Sequence, residues 1–313
     1  MPFEFESLAS QVELDPIQFV GIPIALVGAI FLSLGAQFQY RGVNKVEQHD
    51  VSGGGALSAS QFGQLLARPS WVIGTLLIGL AIAFQLVSLV FSPLIVVQPL
   101  GAIALVITAI LNSRISKVGL NRPSIIAITL CIVGVGAFVT LAAFTARDRP
   151  VTEDDLVIIL IILAVVLTAF LATFITLRRK FKALYYIVGA GVLYGFVATL
   201  AKVIIGRLTQ QQFGLLTLWC VAGLLIAVVV GGIFVQNAYS SGPPDLVIAG
   251  LTVIDPVVAV TIGIVVLGEA AQAGLSAGVG YVICGAVAIW GVLLLARYHP
   301  QTQVPAGKLT KGA

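Results

Sequence analysis

Charge is what this sequence is short of. Only 10% of its 313 residues are Asp, Glu, Lys or Arg, against roughly a quarter in an ordinary soluble domain. Hydrophobic residues make up 59% of the chain and the mean hydropathy is +1.08. A fold dissolved in water could not cover that much apolar surface, so the expected solvent is lipid.

Polar chemistry is equally scarce. The two histidines, His49 and His299, stand far apart, and the three cysteines, Cys131, Cys220 and Cys284, each sit alone inside an apolar run. Isolated, odd-numbered thiols exclude a disulfide framework and a zinc knuckle, and read as small buried hydrophobes. There is no HExxH, no CxxC, no Gly-Lys-Ser/Thr phosphate loop and no Ser/His/Asp set, so neither an enzyme nor an ATP-driven pump is expected. No cofactor and no resident metal is implied. The net charge of +4 comes from short tufts between apolar runs rather than from a basic stripe interleaved with aromatics, which excludes nucleic acid as a partner. Residues 1–18 carry Glu4, Glu6, Glu13 and Asp15 without a basic lead, and read as a retained acidic segment outside the membrane rather than a cleaved signal.

What is present is a series of apolar runs, each near the 20 residues that span a bilayer. They predict an all-α polytopic membrane protein of nine transmembrane helices in a single membrane domain. The runs are Phe19–Tyr40, Trp71–Val90, Leu94–Leu111, Ser124–Phe144, Leu156–Leu177, Ala183–Ile205, Phe213–Val235, Leu246–Leu267 and Leu275–Leu295. The longest connection, Arg41 to Ser70, contains Ser52-Gly53-Gly54-Gly55 and reads as a flexible loop.

Basic residues set the orientation. Thirteen fall on one side: Arg41, Lys45 and Arg68; Arg114, Lys117 and Arg122; Arg178, Arg179, Lys180 and Lys182; and Arg297, Lys308 and Lys311 in the tail 297–313. The other side has three, Arg147, Arg149 and Arg207, while Lys202 lies inside the sixth span. That asymmetry predicts a multi-pass protein of the plasma (inner) membrane, with the N-terminus outside and the C-terminus cytoplasmic.

The two halves echo each other. The third span contains Val97-Gln98-Pro99-Leu100 and the eighth Ile254-Asp255-Pro256-Val257, each with a polar residue directly before a mid-helix proline. A proline inside a helix leaves the carbonyl four residues earlier unbonded, which lipid does not tolerate; such helices face protein or a wet cavity. The pairing suggests two four-helix repeats, 19–144 and 183–296, joined by a linking helix at 156–177. Five helices separate corresponding members, so the repeats would be inverted. That architecture belongs to secondary transporters, with the site at the repeat interface.

Several segments resemble a known family. Phe91–Ala102 (FSPLIVVQPLGA) is similar to the APATLVTPLGA-type segment of the NIPA-like magnesium transporters, and Gln37–Val43 (QFQYRGV) stands where that family closes its first helix with lysines. Leu193–Val203 (LYGFVATLAKV), and Asp255-Pro256 followed by Leu267-Gly268-Glu269, resemble EamA-type members of the drug/metabolite transporter superfamily. The resemblance covers most of the chain and implies nine spans, inverted repeats and a central substrate cavity. The family's lysine cluster is reduced here to Arg41, and Asn112-Ser113 replace the first-half Gly-Glu.

Asp255 and Lys202 are the ionisable groups inside spans, each costing about 2.5 kcal/mol or more at a bilayer centre. Asp255 is expected to act as proton carrier or substrate ligand, or else to close the gap made by Pro256. Lys202 either faces inward with Gly191, Gly195 and Ala198 or snorkels to the outer interface. Gln85, Gln98, Gln236 and Asn237 are candidate cavity-lining amides, and Pro99 and Pro256 the helix breaks. Glu269 reads as a solvated helix end or gate, and Glu153-Asp154-Asp155 as a solvated acidic loop. The expected function is secondary active transport of a small solute by alternating access, proton-coupled through Asp255. The alternatives are a magnesium or divalent-cation transporter, and a scaffold or accessory protein of envelope lipid assembly. The expected partners are the lipid bilayer and a small-molecule or ion substrate, with a homodimer also open to the chain.

Overall fold

The computed structural model describes residues 19–47, 68–116, 119–177, 183–241 and 244–298. The acidic N-terminal segment, the Ser52–Gly55 stretch, the basic cluster at 178–182 and the tail beyond Tyr298 lie outside them. Among the described residues there is no strand, and nine helices are long and apolar enough to cross a membrane. They are α1 (Gly21–Glu47), α2 (Pro69–Phe91), α3 (Leu94–Ser116), α4 (Arg122–Thr145), α5 (Glu153–Leu177), α6 (Ala183–Thr209), α7 (Leu215–Ser241), α8 (Pro244–Val265) and α9 (Leu275–Tyr298). The protein is an all-α polytopic membrane protein.

Local signals set several of the boundaries. Proline occupies the first turn of α2, where a missing N–H costs nothing. Asn121 caps α4 by accepting the Ser124 N–H at 2.8 Å. At the end of α2, the Ser92 N–H closes on the Ser88 carbonyl and Pro93 then forbids continuation, so α3 begins at once. Several helices run past the ends expected from hydropathy, furthest α1 to Glu47 rather than Tyr40, α7 to Ser241 rather than Val235, and α3 to Ser116 rather than Leu111. Hydropathy reports where lipid ends, whereas a helix continues as long as its backbone bonds are made. The first residues of the expected Arg41–Ser70 loop are accordingly helical.

Small residues decide the packing. A Cβ on Gly134 would lie 2.5 Å from the Ala288 nitrogen, and one on Gly291 2.5 Å from the Cys131 nitrogen, so α4 and α9 touch backbone to backbone. Gly35 and Gly74 bring α1 against α2 in the same way, and Gly191 and Gly195 seat α6 on Ile254 and Val258 of α8. α3 is central, packed on α1, α4 and α8, while α5 lies outside against α7 and α6. The main core includes Leu94, Ile95, Val97, Leu193, Phe196 and Leu200, and apolar side chains such as Ile161, Val165 and Leu171 of α5 are exposed, as a lipid-facing surface requires. Cys131 and Cys220 are buried and Cys284 is partly so.

Candidate functional site

A cavity of about 320 Å³ lies between α1, α2, α3, α6 and α8. Gln85, Gln98, Tyr194 and Asp255 bring polar groups to it, and Gly28, Ala29, Leu32, Ala81, Ile82 and Ala198 supply much of the apolar wall. Two polar atoms there are buried without a partner, Gln98 Nε2 on α3 and Asp255 Oδ1 on α8. An unpaired buried polar atom costs about 1–3 kcal/mol, and two of them on residues that line one cavity mark a place where something else can complete the bonding. Both residues directly precede the prolines expected to break their helices, yet α3 and α8 run on through Pro99 and Pro256 as continuous helices. The prolines themselves border a second, apolar cavity of about 90 Å³ on the α4 and α9 side, lined by Val135, Phe138, Ala288 and Val292.

Gln236 and Asn237 are placed elsewhere. Gln236 is exposed near the end of α7, and the Asn237 amide donates to the Ile233 carbonyl of its own helix at 2.7 Å. Neither lines the central cavity.

Lys202 points inward and is 4% exposed. Its ammonium donates to the Leu89 carbonyl at 2.8 Å, to the Ser92 carbonyl at 3.2 Å and to Asp148 Oδ2. A lysine has three donors, and all three are used. The Leu89 carbonyl belongs to the last turn of α2, whose partial negative charge a cation complements, and Ser92 is the extended residue that caps it.

Glu269 corrects the expectation of a solvated helix end: it is 1% exposed. The Leu94 and Ile95 N–H groups at the start of α3 donate to its two carboxylate oxygens at 2.8 Å each. The chain reaches this position through Gly268, whose φ of +66° only glycine adopts freely, and the Glu269 N–H returns to the Gly263 carbonyl. Burial pushes the Glu269 carboxyl up to about 7, opposed by the two N–H bonds and by Lys202, with Asp148 adding to the rise.

The acidic stretch also differs from its expectation. Asp155 is buried and takes a bidentate pair from Arg149 at 2.7 and 3.0 Å, together with the Thr152 N–H and hydroxyl. Arg149 donates further to the Val266 and Leu267 carbonyls, closing the C-terminal end of α8. One sequence signal could have revealed Glu269, the Leu-Gly-Glu that follows the Asp-Pro helix. For Asp148 and Tyr194 the sequence offers none, since one lies in a short loop and the other in an apolar run. Among the described residues no three His, Cys, Asp or Glu side chains gather into a metal-binding group.

A model of the family described as magnesium transporter NIPA matches residues 16–299. The chain is also similar to an uncharacterized protein of Corynebacterium glutamicum, with 28% identity over 255 residues, which span 81% of this chain and 86% of that protein. No solved structure matches it.

Proposed function

We propose, from the premise that the chain belongs to the NIPA magnesium transporter family, that it carries Mg²⁺ across the plasma membrane through the central cavity, with Asp255 as the counter-ion. The observation that carries this reading is Asp255 Oδ1, a carboxylate oxygen buried beside this cavity without a hydrogen-bond partner. Mg²⁺ sheds water reluctantly and is commonly held by one or two carboxylates with several waters retained. At about 30 Å³ per water, six waters need about 180 Å³, and the cavity offers about 320 Å³. Asp255 would meet the charge, while the amide oxygens of Gln85 and Gln98 and the Tyr194 hydroxyl would accept from the ion's waters.

Alternating access fits the helix pairings. α1 packs on α2 and α3, α6 packs correspondingly on α7 and α8, and α3 meets α8 beside the cavity. Rocking of 19–144 against 183–296, with flexing at Pro99 and Pro256 inside α3 and α8, would expose the cavity to each side in turn. The basic-residue asymmetry supports an N-terminus outside and a cytoplasmic C-terminus.

A second reading, a proton-coupled carrier of a small amphipathic solute, draws on the apolar walls of Leu32, Ile82 and Leu86. Proteoliposomes loaded with a Mg²⁺-sensitive dye separate the two. Mg²⁺ entry with the wild type, lost in Asp255→Asn, supports the first. Absence of Mg²⁺ entry, alongside pH-gradient-driven uptake of an organic cation, overturns it in favour of the second.

A further inference from the structure

A second polar cavity of about 240 Å³ lies at the end of the bundle where α2 turns into α3. It is lined by Leu89, Val90, Asp148, Arg149, Lys202 and Gln210 among others. Leu89 borders both this vestibule and the central cavity, and it is 1% exposed. The backbone of that same residue is bonded to the Lys202 ammonium, which in turn holds Asp148 on the vestibule side.

We infer that Lys202, Asp148 and the Leu89 and Ser92 carbonyls form a latch that shuts the central cavity off from this vestibule. The residues come from both halves of the chain. Leu89 and Ser92 end α2, Asp148 lies in the α4–α5 connection, and Lys202 is in α6. The ammonium is a tethered cation in a cage of three oxygens. While it stays there, the carbonyl end of α2 is held to α6 and the Leu89 side chain is fixed between the two spaces. Without it, the bonds from α6 to the Leu89 and Ser92 carbonyls and to the Asp148 carboxylate are lost together. Arg149 does not substitute, because its guanidinium is committed to Asp155 and to the α8 carbonyls. Asp148 remains about one-third exposed, so it is the partner that can be reached from the vestibule. The inference rests on the transport reading only in taking the central cavity as the substrate site.

Thiol accessibility tests the latch without measuring transport. Gly101 lines the central cavity, and a Cβ there meets nothing within 4 Å, so Gly101→Cys places a reporter in open space. Gln272→Cys, exposed in the α8–α9 connection, identifies whether intact cells or inverted vesicles present the vestibule end to a membrane-impermeant maleimide. In that preparation, Gly101→Cys should react at least tenfold faster when combined with Lys202→Met than alone. Asp148→Ala, which alters a loop residue and leaves the helices intact, should accelerate it in the same direction and serves if Lys202→Met does not fold. Unchanged reactivity in the folded latch variants overturns the proposal. So does fast reaction of Gly101→Cys with the latch intact. Acceleration in a protein that moves no Mg²⁺ would support the latch and count against the transport reading alone.

Discussion

Lys202 and Glu269 grip opposite sides of one turn. The lysine ammonium binds the carbonyls of Leu89 and Ser92 that end α2, and the glutamate carboxylate binds the N–H groups of Leu94 and Ile95 that begin α3. Each charge meets the helix end of opposite polarity. Both residues come from the second half of the chain, so the Ser92-Pro93 turn of the first half is held from outside by complementary charges.

Removing the Glu269 side of that grip should destabilise the fold. Glu269→Ala leaves two buried N–H groups unpaired, which costs about 1–3 kcal/mol each. A lowered midpoint in thermal unfolding of detergent-solubilised protein is the expected result, with Glu269→Gln intermediate because its one carbonyl oxygen still accepts. An unchanged midpoint for Glu269→Ala would show that the cap is not needed.

The same residue predicts a pH dependence. Its carboxyl sits at about 7, above the ordinary 4.5, so between those values the folded state binds a proton that the unfolded chain releases. The stability that Glu269 contributes is therefore fully present below about pH 4.5 and is lost as pH rises through 7. Glu269→Gln should flatten the pH slope of the unfolding midpoint between pH 5 and 7. Equal slopes in both proteins would remove Glu269 as the titrating group.

Asp255→Asn should insert and fold normally, because the Oδ1 atom it changes has no hydrogen bond to lose. Its Mg²⁺-dependent thermal stabilisation should weaken to match an affinity loss of tenfold or more, about 1.4 kcal/mol per factor of ten. Gln98→Ala should weaken it less, since an amide provides no counter-charge. Stabilisation of Asp255→Asn equal to the wild type would show that the ion is held elsewhere.

Helix contact predicts a contrast between two glycines. Gly291→Ala drives a methyl to within 2.5 Å of the Cys131 nitrogen, whereas a Cβ on Gly79 meets nothing within 4 Å. Overpacking against backbone should cost about 1–3 kcal/mol at Gly291. Gly79→Ala should be neutral or stabilising by up to about 1 kcal/mol, as alanine is the better helix former. Unfolding midpoints of the two variants check the ordering.

Topology can be read at the two ends of the bundle. An impermeant thiol reagent on intact cells should modify Gln272→Cys in the α8–α9 connection and spare Gly119→Cys between α3 and α4. The reverse pattern would place the N-terminus in the cytoplasm.

The sequence by itself determined the solvent, the secondary structure and the count of helices. A run of about 20 apolar residues in lipid has no option but to bond its own backbone, and that constraint is local. The Gln98-Pro99 and Asp255-Pro256 pairs were legible as positions where proline removes a backbone bond, yet α3 and α8 run through them as continuous helices. Tertiary structure decided which polar side chains meet. Gln236 and Asn237 read no differently from Gln85, yet helix rotation carries Gln85 to the cavity and leaves Gln236 and Asn237 at the end of α7. Lys202 could have snorkelled. It is buried because Asp148, 54 residues away in the chain, and two carbonyls more than 100 residues away together saturate its three donors. Glu269 and Asp155 looked like solvated ends because a carboxylate beside a helix terminus is ordinarily wet. The N–H groups of α3 reach Glu269 only once α3 has packed against the end of α8, whereas Arg149 pairs with Asp155 six residues on and is itself held by the α8 carbonyls. Hydropathy is additive along a chain. The pairing of buried charges depends on which helix ends meet.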